Sequence, residues 1–389
     1  MDAKADPGYY YSYLEVDLGQ IRKNFQNMQA VCKRKLIPVV KGNAWGQGTV
    51  PVAAMLFDST GVETIAVAHI SEAVKIREAG YTRQTIMILS GVPFHAIPYA
   101  VKYRLMMMVY NRETAERLGK AVREAGIGEF PVQIKIDTGF HRIGVTPEKL
   151  PELIEAIREQ KNLKIEGICS HYADCYEYGS ARTYEQYEMF RKSVILARRM
   201  GENPRYISIG CSPNVDWPDE EICTHVRVGW GYIAYSPDPG FEYFHHNRPS
   251  MTLRTFITDI HHLPAGEPIG YDGEILTRAT DVATISIGTC DGLYRPLVRG
   301  KGKVLIRGEY PRYLSTCMDQ AMIDVTGIPV RIGDEVTIFG KDKYSDAVLT
   351  PTELADYADG NSTILHLYLS DRVARIYRDS FGLCPMNCG

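Results

Sequence analysis

Residues 36–48 read LIPVVKGNAWGQG, an apolar run that ends on the amine of Lys41 and turns at once through glycine and asparagine. A short apolar segment closed by a Gly-rich turn reads as a strand. Continuous apolar character marks a strand buried on both faces, as in parallel sheets covered by helices. Seven further runs follow: TIAVA (64–68), TIMILS (85–90), RLMMMVY (104–110), VQIKID (132–137), LKIEGICSH (163–171), YISIGC (206–211) and CTHVRVG (223–229). Helix-like segments separate them. Ile21, Phe25, Met28 and Cys32 recur at helical spacing behind Asp17, a candidate N-cap. Leu150, Leu153, Ile154 and Ile157 repeat the pattern, and Glu185 to Met200 reads as a longer helix. Eight strands alternating with helices predict an α/β fold, a (β/α)8 barrel of the TIM type. An open doubly wound sheet is the rival, but no G-x-G-x-x-G follows the first strand.

Past residue 245 the rhythm changes. SMTLRTFITDIHHL, TDVATISIG, GKVLIRGEY, AMIDVTG and DEVTIFG are strand-like and broken by Gly, Pro and Asp turns, with no long helical pattern before TPTELADYAD. This predicts a barrel over 10–245, a mostly β C-terminal domain over 246–380, and a tail over 381–389. FHHNRPS (244–250) is the expected junction.

The chain has 389 residues, 45% apolar and 23% charged, with a formal net charge of −3. That is the profile of a globular protein large enough to fold without disulfides or metal. No basic run suggests nucleic acid, and no apolar run is long enough to span a membrane. Nine cysteines in no zinc-type spacing point to a reducing, cytoplasmic setting and no metal site. Cys384 and Cys388 could pair with each other.

A β/α barrel forms its active site at the C-terminal ends of its strands. Lys41 closes the first run; Lys135 and Asp137 lie in the fifth; Arg142 follows in DTGFHRIG; His171 closes the sixth; Ser212 follows the seventh; Arg227 is near the end of the eighth. Each has a bland reading. A lone lysine is a solvated strand end, a lone histidine a core residue, a lone arginine half of an ion pair. Together an amine, two arginines and an imidazole at one mouth suit an anionic, amine-reactive ligand. Pyridoxal 5'-phosphate fits, with a phosphate, a phenolate and an aldehyde that needs a lysine.

The motifs then match a known pattern. VVKGNAWGQG resembles the VVKANAYGHG motif of the alanine racemase family, whose lysine bonds the cofactor. KIDTGFHRIG, GICSHYADC and VRVGWG resemble further family segments, as do AGEPIGYDG, IGTCDGLYR, STCMDQAMIDVT and SDRVARIY, in family order from residue 39 to 377. The resemblance implies a homodimer with active sites shared across the interface and a small amino-acid substrate. It implies that Lys41 holds the cofactor and, with Tyr271 of the other subunit, forms the acid–base pair. A racemase needs one proton carrier on each face of Cα. His171 is implied to bond Tyr271, and Arg227 to face the pyridine nitrogen. An arginine there cannot give up its proton, so the ring stays a weak electron sink and reprotonation in place is favoured. Arg142 and the Met318 backbone are implied at the substrate carboxylate, beside Asp319. Ser212, Gly229 and Trp230 are implied at the phosphate. Lys135 matches a lysine that some members carbamylate.

Five positions depart from the motifs. Trp45 stands for a phosphate-binding tyrosine, Cys211 for an asparagine, Trp230 for a small aliphatic residue, Thr289 for a tyrosine at the substrate entrance, and Asp371 for a tyrosine that narrows the pocket. They suggest a wider, more acidic entrance. The expected activity is interconversion of L- and D-alanine, or of a larger or cationic amino acid such as ornithine, lysine or arginine. Two alternatives stand beside it: a decarboxylase of basic amino acids on the same plan, and a non-catalytic carrier of pyridoxal phosphate.

Overall fold

A computed structural model describes residues 8–176, 179–217, 221–233, 246–271, 274–358, 360 and 362–381. Residues 382–389, which include Cys384, Cys388 and nearly all of the expected tail, lie outside the described residues, as do 244 and 245 of the expected junction.

The first strand, β1 (Ser12–Asp17), leads into the helix Leu18–Val31, which Asp17 caps by accepting the Gln20 N–H at 3.0 Å. Eight strands then follow among the described residues: β2 (Lys35–Pro38), β3 (Thr64–Val67), β4 (Thr85–Ile88), β5 (Met107–Val109), β6 (Phe130–Lys135), β7 (Leu163–Cys169), β8 (Tyr206–Ser208) and β9 (His225–Val228). Each of the eight apolar runs of the sequence overlaps one. The pairs β2–β9 and β3–β4 and the ladder β5–β6–β7–β8 are parallel. Bridges at Val39–Ala66 and Met87–Met106 join β2 to β3 and β4 to β5. The Thr224 N–H donates to Ile207 O at 2.9 Å and ties β8 to β9. The ring is closed, and Ile37, Val39, Ala66, Met87, Met106 and Tyr206 pack inside it.

The helices outside follow their periodicity. Leu150–Glu159 buries Leu150, Leu153, Ile154 and Ile157, as its spacing predicts. The helix expected from Glu185 begins earlier, at Ala181, because the Ser180 hydroxyl caps it by accepting the Thr183 N–H. None of the described helices is long and apolar enough to cross a membrane.

The second domain is built on β10 (Met251–Leu263), β11 (Pro268–Ile269), β12 (Glu274–Ile275), β13 (Thr280–Ile285), β14 (Tyr313–Thr316), β15 (Ala321–Asp324), β16 (Glu335–Lys341), β17 (Val348–Leu349) and β18 (Ala374–Arg378). Its main sheet runs β14-β15-β13-β10-β1-β18, with β16 also against β10. The strand β1 differs from the expected assignment of residues from 10 onward to the barrel. It pairs antiparallel with β10 and parallel with β18, and buries five of its six residues between them. Strand pairing, which adjacency along the chain does not reveal, puts it there. A bidentate ion pair between Arg22 and Asp379, at 3.0 and 3.2 Å, fastens the first barrel helix to the segment after β18.

Candidate active site

After β2, Val39 N donates to Val228 O and Val40 N to Ala66 O, so strand bonding to both neighbours continues up to Lys41. The backbone then makes one left-handed helical turn: Gly42, Asn43, Ala44 and Trp45 have φ of 62°, 54°, 50° and 59°. Such dihedrals cost ordinary L-residues roughly 1–2 kcal/mol each, so the surroundings must impose them. Glu72 accepts the Gly42 N–H at 2.6 Å, and Asn43 Oδ1 accepts the Thr49 N–H at 3.0 Å. His366 Nδ1 lies 2.7 Å from Trp45 O, and Arg375 Nε donates to Gly46 O at 3.2 Å. A Cβ at Gly46 would overlap the His366 carbonyl and one at Gly48 the Tyr377 hydroxyl, so the second domain presses on this turn where only glycine fits. The turn swings the Lys41 ammonium to 5.5 Å over the Trp45 ring, at the open rim of a cavity of about 510 Å³.

Ten of the residues singled out in the sequence line that cavity: Lys41, Trp45, Lys135, Arg142, His171, Cys211, Ser212, Arg227, Gly229 and Trp230. Arg227 is buried. Its Nη1 donates to Ser208 O at 2.9 Å, and its Nη2 donates to Ser170 O at 2.6 Å and Ile209 O at 3.1 Å. Strand-end carbonyls rather than a carboxylate therefore hold this cation. Nη2 also lies 3.4 Å from Nδ1 of His171. Burial first, then Arg227, Arg142, Lys135 and Lys41, push the His171 pKa down to about 3, so the imidazole is neutral. Burial, Arg142 and Arg227 hold Lys41 below the ordinary lysine range, while Glu72 and Cys211 partly oppose them. Burial likewise lowers Lys135 to about 8, and its Nζ donates to Ile136 O at 2.8 Å. Asp137 acts structurally. Its Oδ1 accepts the N–H groups of Gly139, Phe140 and His141 at 3.0, 3.1 and 3.0 Å. That shapes the turn presenting Arg142, whose guanidinium lies 4.2 Å from the Phe140 ring centre.

One corner of the cavity fits a phosphate. Ser212 Oγ accepts the N–H groups of Gly229 at 3.0 Å and Gly231 at 3.3 Å. The indole N–H of Trp45 is buried and has no hydrogen-bond partner among the described residues. It faces the same corner, 3.4 Å from where a Cβ on Gly229 would lie. An orphaned buried donor costs about 1–3 kcal/mol, and an anion accepting from it would remove that cost. The residues therefore fit pyridoxal phosphate, with Lys41 for its aldehyde and Arg227 for its ring.

Tyr271, Thr289, Met318, Asp319 and Asp371 do not line the cavity, nor does Asp137. Tyr271 is 82% and Met318 64% exposed. They belong to one face of the second domain: a Cβ on Gly270 would overlap Ser315, and Thr289 N donates to Cys317 O at 3.1 Å. Arg372 joins this group, 2.7 Å from Asp319 and 3.0 Å from Asp291. Asp371, expected near the pocket, is exposed on the chain segment just before Arg372. Leu367 instead approaches the Lys41 turn, 3.3 Å from where a Gly42 Cβ would lie.

Sequence reading missed Glu72, His366 and Arg375, which brace the turn, and Cys175 and Tyr176, which line the cavity. Arg375 lies inside the segment SDRVARIY. Its fork donates to Ser370 O, Val373 O and Leu369 O at 2.6, 2.8 and 2.8 Å, contacts that sequence spacing does not announce.

Residues 16–237 match the alanine racemase N-terminal domain, and residues 250–377 match the alanine racemase C-terminal domain. The chain is 33% identical over 371 residues to alanine racemase 1 of Clostridium acetobutylicum, covering 94% of this chain and 95% of that protein. It resembles the solved alanine racemase of Clostridium difficile 630 with a TM-score of 0.88 and 29% identity, over 96% of this chain and 97% of that one. The alanine racemase of Bacillus anthracis, solved with bound L-Ala-P, also gives a TM-score of 0.88, at 26% identity, again over 96% of this chain and 97% of that one. With barrel, β domain and lysine-bearing cavity in place, the chain belongs to the alanine racemase family, pyridoxal 5'-phosphate-dependent racemases of amino acids.

Proposed function

We propose that this protein interconverts the L and D forms of an α-amino acid with two proton carriers, Lys41 and Tyr271 of a second copy, in a homodimer. The observation that carries this reading is a divided site. One cavity gathers Lys41, Arg142, His171 and Arg227, while Tyr271 stands 82% exposed outside it. Pyridoxal phosphate, when bound, supplies the aldehyde that engages Lys41 and the conjugated ring that draws electrons from Cα. Lys41 Nζ carries the proton on one face of Cα. Its lowered pKa favours the free amine that a base requires. The Tyr271 hydroxyl serves the opposite face, with the imidazole of His171 to orient it. Arg142 supplies a cation for the substrate carboxylate. Arg227 keeps a permanent proton near the ring, where a decarboxylase favours an acid.

The substrate range extends past alanine to larger and cationic amino acids. Thr289 is small where the family motif has a tyrosine. Asp319 is exposed beside Arg372, which also bonds the buried Asp291, and Asp371 is exposed next to Arg372 in the chain. A panel of L-amino acids, resolved on a chiral column, tests both parts. Racemisation of alanine alone defeats the wider range. Failure to wash deuterium into Cα of any amino acid defeats the racemase reading itself.

A further inference from the structure

The loops that leave β7 and β8 bring two thiols, Cys175 and Cys211, into the wall of the Lys41 cavity. Proton transfer uses neither. Their side chains lie within hydrogen-bonding reach of each other. Asn214 pins both loops: Nδ2 donates to Cys175 O at 3.0 Å, and Oδ1 lies 2.8 Å from Cys211 N and 3.3 Å from Cys211 Sγ. The fold therefore holds this pair together. Each thiol also adjoins the phosphate corner. Ser212 follows Cys211 in the chain, and the ring of Tyr176, next to Cys175, lies 6.4 Å from that of Trp230.

We propose that Cys175 and Cys211 are an oxidisable dithiol that hydrogen peroxide closes to a disulfide, disabling the phosphate corner reversibly. The Cys175 sulfur attacks one peroxide oxygen, the O–O bond breaks, and the departing hydroxide takes a thiol proton to become water. Cys211 then displaces the hydroxyl of the resulting sulfenic acid: the S–S bond forms, the S–O bond breaks, and a second water leaves. Two thiols lose two electrons and two protons, and one peroxide becomes two waters. The Cys211 thiol donates to Asn214 Oδ1 at 3.3 Å, which leaves Cys175 as the attacking sulfur, and the contact with Cys211 lowers the Cys175 pKa although burial opposes it. Disulfide sulfurs are about 2.05 Å apart, well inside hydrogen-bonding range. Closure therefore shifts the backbone at Cys211, next to Ser212, whose Oγ accepts the Gly229 and Gly231 N–H groups in this corner. In a reducing compartment such a bond is transient and so suits a switch.

The test treats the holoenzyme with a small excess of hydrogen peroxide and maps its peptides under non-reducing conditions. The expected product is a peptide pair linked through Cys175 and Cys211, accompanied by a fall in racemisation rate on the order of 10²-fold. Dithiothreitol should reverse both. Cys175→Ser and Cys211→Ser proteins should each keep their own untreated rate under the same peroxide. Should Cys211→Ser fail to fold, Cys175→Ser carries the comparison alone. No linked peptide, or undiminished peroxide sensitivity in Cys175→Ser, overturns the proposal. Peptide mapping needs no turnover, so its outcome is independent of the racemase reading.

Discussion

Nη2 of Arg227 lies 3.4 Å from Nδ1 of His171. Arginine can only donate, so Nδ1 must accept and the imidazole proton resides on Nε2. A neutral histidine with a free Nε2–H is the form that can hold a tyrosine oxygen.

Nitrogen-15 NMR should show this tautomer unchanged from about pH 8 down to about pH 5, since the pKa is depressed from 6.5 to about 3. A titration near the ordinary histidine range would remove the assignment.

The same depression sets an acid sensitivity. His171 falls to about 3, while burial lowers His225 and His366 to about 4 from 6.5. Between those values the unfolded chain binds more protons than the folded one, so stability falls as pH drops below 6.5. At about pH 5.5 the cost is roughly 1 kcal/mol per histidine. Urea midpoints should decline between about pH 7 and about pH 5.5, before carboxylates titrate; a flat profile contradicts this.

Lys41→Ala should abolish the visible absorbance of the bound cofactor and cut racemisation by at least roughly 10²–10⁴-fold. Arg142→Met removes one of the charges that lower the Lys41 pKa. The pH midpoint for attachment of pyridoxal phosphate to the apoprotein should then move upward, because only the free amine attacks an aldehyde. An unmoved midpoint would mean that Arg142 does not tune the amine.

Trp45→Phe deletes the orphaned indole donor and keeps an aromatic face under Lys41. Hydrogen bonds to charged groups contribute about 1.5–3 kcal/mol, so affinity for pyridoxal phosphate should weaken roughly tenfold to a hundredfold. Equilibrium dialysis of the apoprotein reads this directly. Unchanged affinity would assign the indole to packing alone.

Arg22→Met removes the cation from a pair whose side chains are each 4% exposed, leaving the Asp379 carboxylate to uncharged donors such as the Phe381 N–H, and should destabilise the protein by about 3–5 kcal/mol. The double variant Arg22→Met/Asp379→Leu should regain much of that loss in a denaturant series. Equal losses in single and double variants would refute the account.

Thr289→Tyr restores bulk at the proposed entrance. It should lower kcat/KM for larger amino acids relative to alanine by roughly tenfold or more. Parallel losses for both substrates would place Thr289 away from the specificity boundary.

Much of this was legible in the chain. Eight apolar runs became eight barrel strands because burial on both faces leaves an uninterrupted apolar signature. Lys41, Arg142, His171, Ser212 and Arg227 were found because a barrel delivers residues at its strand ends to one mouth. Other features depend on contacts between distant segments. β1 joined the second sheet through pairing with β10 and β18. The left-handed turn at 42–45 is held by Glu72, His366 and Arg375, from three separate elements. The depressed pKa of His171 comes from burial and four cations brought together from separate strands and turns. Local pattern determined which segments become strands and which residues stand at their ends, because periodicity is a property of neighbours along the chain. Tertiary structure alone decided which cation is desolvated, which donor is orphaned and which thiol meets which, because dielectric and distance depend on segments far apart in sequence.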